Sequence, residues 1–231
     1  SALAPARPQI RMNRPRQFDL ICFDWDGTLF DSTAIITRCI QQAVVDVGGA
    51  RPTDEAASYV IGMALMPALA HAAPDVPKDK YPLLGERYRH HYLAHQNDIS
   101  LFDGVLPMLA ELKARHHWLA VATGKSRVGL DNVLATRDLK GIFDASRTAD
   151  ETAGKPDPRM LNELMRQFGT EPERTLMVGD TTHDLQMARN AGCASLGVSY
   201  GAHPPSEFEA LGPRAILHSA QALRQWLNEH A

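Results

Sequence analysis

Cysteine is scarce in this chain. Three occur in 231 residues, Cys22, Cys39 and Cys193, far apart and with no CxxC pair. So sparse and odd a set excludes a disulfide framework and reads as three partly buried thiols in a reducing compartment. Long apolar runs are also absent, and none approaches the ~18 residues that a membrane-spanning helix needs. A basic surplus is missing too: 24 Lys and Arg stand against 27 Asp and Glu, for a formal net charge of -3. That balance argues against non-specific nucleic-acid binding. There is no internal repeat and no low-complexity segment. The expectation is a cytoplasmic protein whose partners include neither nucleic acid nor membrane; its oligomeric state stays open.

The first 17 residues carry Pro5, Pro8 and Pro15 with Arg7, Arg11, Arg14 and Arg16. They lack the apolar stretch of a secretory signal and are read as a flexible tail, residues 1–17. The composition is 44% hydrophobic and 22% charged over the whole chain, as in ordinary globular proteins. Its length suits one large domain, or a core domain with a smaller insert.

Four segments read as strands leading into turns or helices. Phe18 to Trp25 is a short apolar run ending in charged residues and glycine, like a buried parallel strand at its carboxyl end. Trp118–Thr123, Arg174–Gly179 and Ala194–Ser199 share that pattern, with a short fifth strand at Ala215–Leu217. Between the second and third strands a short segment is read around Phe143, with no strand assigned to it. Helices are expected at about 105–115, 126–136, 158–168 and up to Ala191, with a last one burying Leu223, Trp226 and Leu227. Between the first two strands no strand is convincing. Ile35, Ile36, Cys39, Ile40, Ala43, Val44 and Val47 recur at helical spacing until Gly48-Gly49. Beyond that pair, Pro52, Pro67, Pro74, Pro77 and Pro82 divide the chain into short helices. The fold class is therefore α/β: a Rossmann-like parallel sheet, residues 18–33 and 103–231, with an all-helical insert at 34–102. In such sheets the site lies beyond the carboxyl ends of the strands.

The polar residues gather at those ends. The first strand runs into Asp24-Trp25-Asp26-Gly27-Thr28, placing two carboxylates close together, a costly arrangement unless a cation or shared proton compensates. The second ends at Thr123-Gly124-Lys125, where a hydroxyl and backbone amides can hold phosphate. Lys155 sits in the rigid loop Gly154-Lys155-Pro156-Asp157-Pro158, and a fixed ammonium can neutralise phosphoryl oxygens. The third ends Gly179-Asp180-Thr181-Thr182-His183-Asp184, adding two carboxylates that suit a hard ion such as Mg²⁺. Asp184 also stands where it can cap the helix after it. His183 reads as a polar residue of the helix start, and His90, His91 and His95 as a solvated helix face.

DWDGTLFDS, ATGKS, GKPDP and GDTTHD resemble, in order, the four motifs of the haloacid-dehalogenase-like phosphatases. The helical insert resembles the cap of phosphoglycolate-phosphatase-like members and their β-phosphoglucomutase relatives. The resemblance implies Asp24 as nucleophile and Asp26 as general acid and base. It implies phosphate ligation by Thr123, Gly124, Lys155 and Asp26. It implies Mg²⁺ held by the Asp24 carboxylate, the Asp26 carbonyl and Asp180, with Asp184 ligating or supporting. The expected partner is a small phosphorylated metabolite. A phosphosugar mutase is the second reading, and a non-catalytic phosphate-binding protein the reading of a different class; a dehalogenase needs neither Mg²⁺ nor the second aspartate. Ile61–Leu65 resembles the cap loop that faces the site and carries no charge, so a cationic partner for a substrate carboxylate is sought at Lys78, Arg87 or Arg89.

Overall fold

The computed structural model describes residues 15–136 and 138–231. Most of the expected tail, residues 1–14, lies outside the described residues. Arg16 touches the core, its carbonyl accepting a hydrogen bond from Arg174 Nη1 at 3.0 Å.

Strand β1, Leu20–Phe23, is buried at every position. It runs parallel to β2, Trp118–Thr123, on one side and to β4, Thr175–Gly179, on the other. Beyond β4 come β5, Ala194–Val198, and β6, Ala215–Leu217. The sixth strand, β3, Ala145–Thr148, corrects the sequence reading, which placed no strand between the second and third. Ala-Ser-Arg-Thr has no apolar run to announce it; its identity comes from edge pairing, Ala120 opposite Ala145 through Thr123 opposite Thr148. The sheet order is β3-β2-β1-β4-β5-β6, all parallel.

Alternation along the central strands gives each face its own core. Ile21, Phe23, Leu119, Val121, Leu176 and Val178 pack against α5, Val105–Ala114, and the terminal helix α9, Ala220–His230. Leu20, Cys22, Ala120, Ala122 and Met177 pack against α7, Arg159–Phe168, and α8, Thr182–Ala191. Burial on both faces explains why these strands read as continuous apolar runs.

Between β1 and β2 the chain forms α1, Thr33–Asp46, α2, Asp54–Tyr59, α3, Leu65–Ala72, and α4, Tyr81–His95, before α5; α6, Arg127–Leu134, follows β2. These helices bury a cluster of their own, built from Ile36, Ile40, Val44, Ala57, Val60, Ile61, Leu69 and Leu84. The helical spacing seen in α1 is thus the face turned to that cluster. No helix among the described residues is long and apolar enough to cross a membrane.

At the pole away from the carboxyl ends of the strands, His117 is 2% exposed, with Nδ1 2.7 Å from the Phe18 carbonyl and a buried Nε2 without a partner among the described residues. Burial drags its pKa down to about 4 against the pull of that carbonyl. A base held below its free value binds fewer protons folded than unfolded. Its contribution to stability is whole above about pH 6.5 and drains away as pH falls towards 4. His117→Asn keeps a donor for Phe18 without titrating. Denaturant melts at pH 7 and pH 5 are expected to show a pH-dependent loss smaller by about 2 kcal/mol in this variant. Identical losses in both proteins would mean the ring is charged in the fold.

Candidate active site

Four side chains converge beyond the carboxyl ends of β1, β4 and the loop before α7. Asp24 comes directly after β1, held in register by its N–H donating to the Val178 carbonyl at 2.9 Å. Its Oδ1 accepts from the Trp25 N–H at 2.7 Å and from Lys155 Nζ at 2.8 Å. Lys155 Nζ also lies 2.7 Å from Asp184 Oδ1, an ion-pair distance, although that oxygen receives no well-aligned hydrogen bond. The Lys155 side chain is wholly buried. Asp180 accepts from Thr28 Oγ1 at 3.0 Å and from the Ala202 N–H at 2.8 Å. Asp184 accepts from the N–H and hydroxyl of Thr181 at 3.1 and 2.9 Å, closing a capping box at the start of α8. The capping and site readings of Asp184 therefore coexist: Oδ2 caps and Oδ1 faces the cluster.

Glycine makes this crowding feasible. Gly27 has φ of +80°, and a Cβ there would stand 2.1 Å from Asp180 Oδ2. Any side chain would push Asp180 out of the group.

Asp24, Asp180 and Asp184 each offer an oxygen within 4.8 Å of the other two. One buried ammonium serves three buried carboxylates, so the cluster lacks positive charge. Burial, with Asp184 adding to it, pushes the Asp24 carboxyl well above the ordinary range despite Lys155. Burial and Asp184 push Asp180 up to about 6. Burial opposes ionisation of Asp184 as well, but the Lys155 charge and the Thr181 hydrogen bond hold it low. Asp24 Oδ2 and Asp184 Oδ1 are buried without a hydrogen-bond donor among the described residues. All-oxygen donors with unspent lone pairs and a deficit of positive charge fit a hard divalent cation. The Asp26 carboxylate is outside this group. Its Oδ1 accepts from Ser32 Oγ at 2.9 Å, and its Oδ2 is 3.8 Å from Lys125 Nζ.

The fit has a measurable consequence. A carboxyl raised in the fold binds its proton more tightly there than in the unfolded chain, so stability from Asp180 is present below about pH 4 and is lost as pH rises through about 6. Divalent cation must displace that proton. Saturating Mg²⁺ is expected to raise Tm several degrees more at pH 7.5 than at pH 5, read by scanning calorimetry. An equal or larger shift at pH 5 would place the ion elsewhere.

Thr123 ends β2, buried, with its hydroxyl accepting from the Lys125 N–H at 3.0 Å. Over it lies the insert: a Cβ on Gly124 would meet the Gly62 and Met63 carbonyls at 2.5 Å, and one on Gly62 would be 3.8 Å from Asp24 Oδ2. The 61–65 loop thus sits directly above Asp24, as its sequence suggested. Arg87 donates to Asp46 at 2.8 Å, and Lys78 and Arg89 are exposed.

The sequence reading missed how the insert is fastened. His203 Nδ1 accepts from the Thr182 N–H at 3.0 Å, so its proton is on Nε2, which reaches the Tyr59 carbonyl at 2.8 Å. His183 Nε2 reaches the same carbonyl at 2.8 Å, and the Tyr59 ring stacks on His203 at 5.1 Å. His183 is therefore no member of the carboxylate cluster. His91 pairs with Asp46 at 2.6 Å, and His90 and His95 are exposed.

A parallel sheet covered on both faces, with an acid and lysine cluster at its carboxyl rim beneath a helical insert, defines an α/β enzyme working at its strand ends. The chain belongs to the haloacid dehalogenase-like hydrolase family, whose model matches residues 21–198. It is 33% identical over 204 residues to a protein of Dickeya dadantii named probable phosphatase IndB, covering 86% of this chain and 88% of that one. It is 32% identical over 191 residues to the phosphoglycolate phosphatase of Aliivibrio fischeri, covering 79% and 84%. A crystal structure of a predicted phosphoglycolate phosphatase from Haemophilus somnus 129pt superposes with a TM-score of 0.78 at 26% identity, covering 90% and 98%.

Proposed function

We propose that the protein is a Mg²⁺-dependent phosphatase of small phosphate monoesters, phosphoglycolate phosphatase-like, acting through a phosphorylated Asp24. The observation that carries this reading is the buried group of Asp24, Asp180, Asp184 and Lys155 under the 61–65 loop. The family supports it, as do the names of the relatives.

In this reading Asp24, the Asp26 carbonyl and Asp180 hold the ion, with Asp184 beside them. When bound, Mg²⁺ offsets repulsion between the nucleophilic carboxylate and the phosphoryl group. The Asp24 carboxylate attacks phosphorus, and the bond to the leaving oxygen breaks. Lys155, the Thr123 hydroxyl and the Gly124 backbone spread phosphoryl charge in the transition state. Asp26 gives its proton to the leaving alkoxide, then takes one from the water that releases phosphate from Asp24. Ser32, donating to Asp26, fixes the orientation of that carboxyl. The insert, residues 34–102, acts as a cap that excludes bulk water and selects the leaving group.

The test is phosphate release from an aryl phosphate and from a panel of phosphorylated metabolites, with Mg²⁺ and with chelator. Release that stops with chelator and resumes with Mg²⁺ is the expected result. Transfer to a sugar with little free phosphate would make the protein a mutase instead, and no turnover with any ester would defeat both readings.

A further inference from the structure

Two helix ends are joined across the seam between insert and core. α2 stops at Tyr59, and the last carbonyls of a helix have no partner within it. α8 starts at Thr182, and the first N–H groups of a helix have none either. His203 stands between the two. Its Nδ1 accepts from the Thr182 N–H at 3.0 Å, and its Nε2 donates to the Tyr59 carbonyl at 2.8 Å. A neutral imidazole has one acceptor and one donor on a rigid ring. It can therefore tie the orphan donor of one helix to the orphan acceptor of another. His183 donates to the same carbonyl at 2.8 Å, so both lone pairs of that oxygen are used. Both rings are buried, at 8% and 5% exposure, and the Tyr59 ring lies nearly parallel to His203, at 8°.

The bridge holds two parts of the site at once. On the insert side, Gly62 is three residues beyond Tyr59. The turn between them is short: the Met63 N–H donates to the Val60 carbonyl at 3.1 Å, and Gly62 has φ of +94°. A Cβ on Gly62 would stand 3.8 Å from Asp24 Oδ2 and 3.9 Å from Thr181 Oγ1. On the core side, the His203 N–H donates to the Asp180 carbonyl at 3.3 Å, next to the Ala202 N–H on Asp180 Oδ2. One ring thus connects the roof over the nucleophile to the rim that carries the carboxylates.

We propose that His203, with His183 beside it, is a positioning residue that fixes the height of the 61–65 loop above Asp24 and so limits the bulk of the leaving group. This rests on the phosphatase reading above. In an in-line displacement the leaving oxygen departs from the side of phosphorus opposite the nucleophile, which is the side this loop covers. Ile61-Gly62-Met63-Ala64-Leu65 has no charge, so it selects by contact. The loop cannot sink, because its backbone already rests on Gly124, and Ala64 rests on Gly154. The Tyr59 bridge keeps it from rising. A roof held from both sides discriminates by volume; a roof held from below alone does not.

The experiment compares ethyl phosphate with cyclohexyl phosphate, whose alcohols are alike in acidity and differ in bulk. His203→Asn keeps an acceptor near Thr182 but is too short to reach Tyr59. His203→Gln keeps a donor for Tyr59 and gives up the Thr182 bond. The ratio of kcat/KM, ethyl over cyclohexyl, is expected to fall roughly 10-fold in His203→Asn, the order of one lost pocket contact, and to stay near wild type in His203→Gln. His183→Leu should lower it by a smaller factor. Amide hydrogen exchange at Gly62, Met63 and Ala64 should quicken in His203→Asn, with β1 and β4 unchanged as the check on folding. Equal losses in the Asn and Gln variants would make His203 a fold-supporting residue and overturn the proposal. So would faster exchange with an unchanged ratio, since the loop would then be held without selecting. A wild type that turns over neither ester, nor an aryl phosphate, would instead remove the phosphatase reading, and the selection with it, while exchange still shows whether His203 holds the loop.

Discussion

Asp24→Asn is expected to abolish phosphate release, with kcat falling by roughly four to six orders of magnitude, as when other enzymes lose a covalent nucleophile. The substitution is nearly isosteric. The amide oxygen can still accept from the Trp25 N–H and from Lys155, which wild type holds at 2.7 and 2.8 Å, so the fold survives while the nucleophile does not. A second effect has the opposite sign. Without metal, Asp24 is one of three buried carboxyls sharing one ammonium, and burial already drives its pKa up. Replacing it by a neutral amide relieves that crowding. The metal-free variant should therefore melt higher than metal-free wild type, and Mg²⁺ should stabilise it less. Dead but more stable is the joint signature of a residue kept for chemistry. Undiminished turnover, with contaminating phosphatase excluded, would falsify the assignment of Asp24. A variant that is dead and also less stable would make Asp24 a structural partner of Lys155.

Much of this is legible in the chain alone, and the physical reason differs by element. β1, β2, β4 and β5 are apolar at nearly every position because helices cover both faces, and that leaves a plain mark in the chain. β3 leaves none: an edge strand needs only backbone pairing, and Ala-Ser-Arg-Thr supplies it from β2. The expected first strand runs from Phe18 to Trp25, whereas β1 spans Leu20–Phe23, with the Asp24 N–H still donating to the Val178 carbonyl at its end. The acids and Lys155 are visible because strand ends are fixed points of a parallel sheet. The inward face of α4 is not. Tyr88, Arg87, Arg89 and Tyr92 share one helix, and spacing alone does not say which face turns to the core. Charge draws attention to Arg87, but Asp46 neutralises it, and the phenols face inward instead. His203 comes after β5 in a loop with no recognisable pattern; only the fold brings its ring under Tyr59.

Lys155→Met should be the most destabilising single change at the site. The side chain is fully buried and stands 2.8 Å from Asp24 and 2.7 Å from Asp184. Methionine fills similar volume, so the cost is electrostatic. Removing one member of a buried ion cluster and leaving the others charged costs about 3 to 5 kcal/mol. The acids can escape part of that cost by taking up protons. Asp184 now gains most, because the Lys155 charge is what holds its pKa low against burial. A carboxyl whose folded pKa rises above its unfolded value loses stability as pH rises through the folded pKa. The deficit against wild type should thus be small near pH 5 and large near pH 8. Mg²⁺ should restore part of the stability at pH 8, since the three carboxylates remain. It should not restore turnover: phosphoryl charge would still lack its ammonium, a loss of roughly 10²- to 10³-fold by comparison with other fixed donors. Urea melts at pH 5 and pH 8, with and without Mg²⁺, and kcat on an aryl phosphate make the full set of measurements. A deficit independent of pH, with catalysis kept, would mean that Lys155 fills space in a site whose charges are balanced by something else.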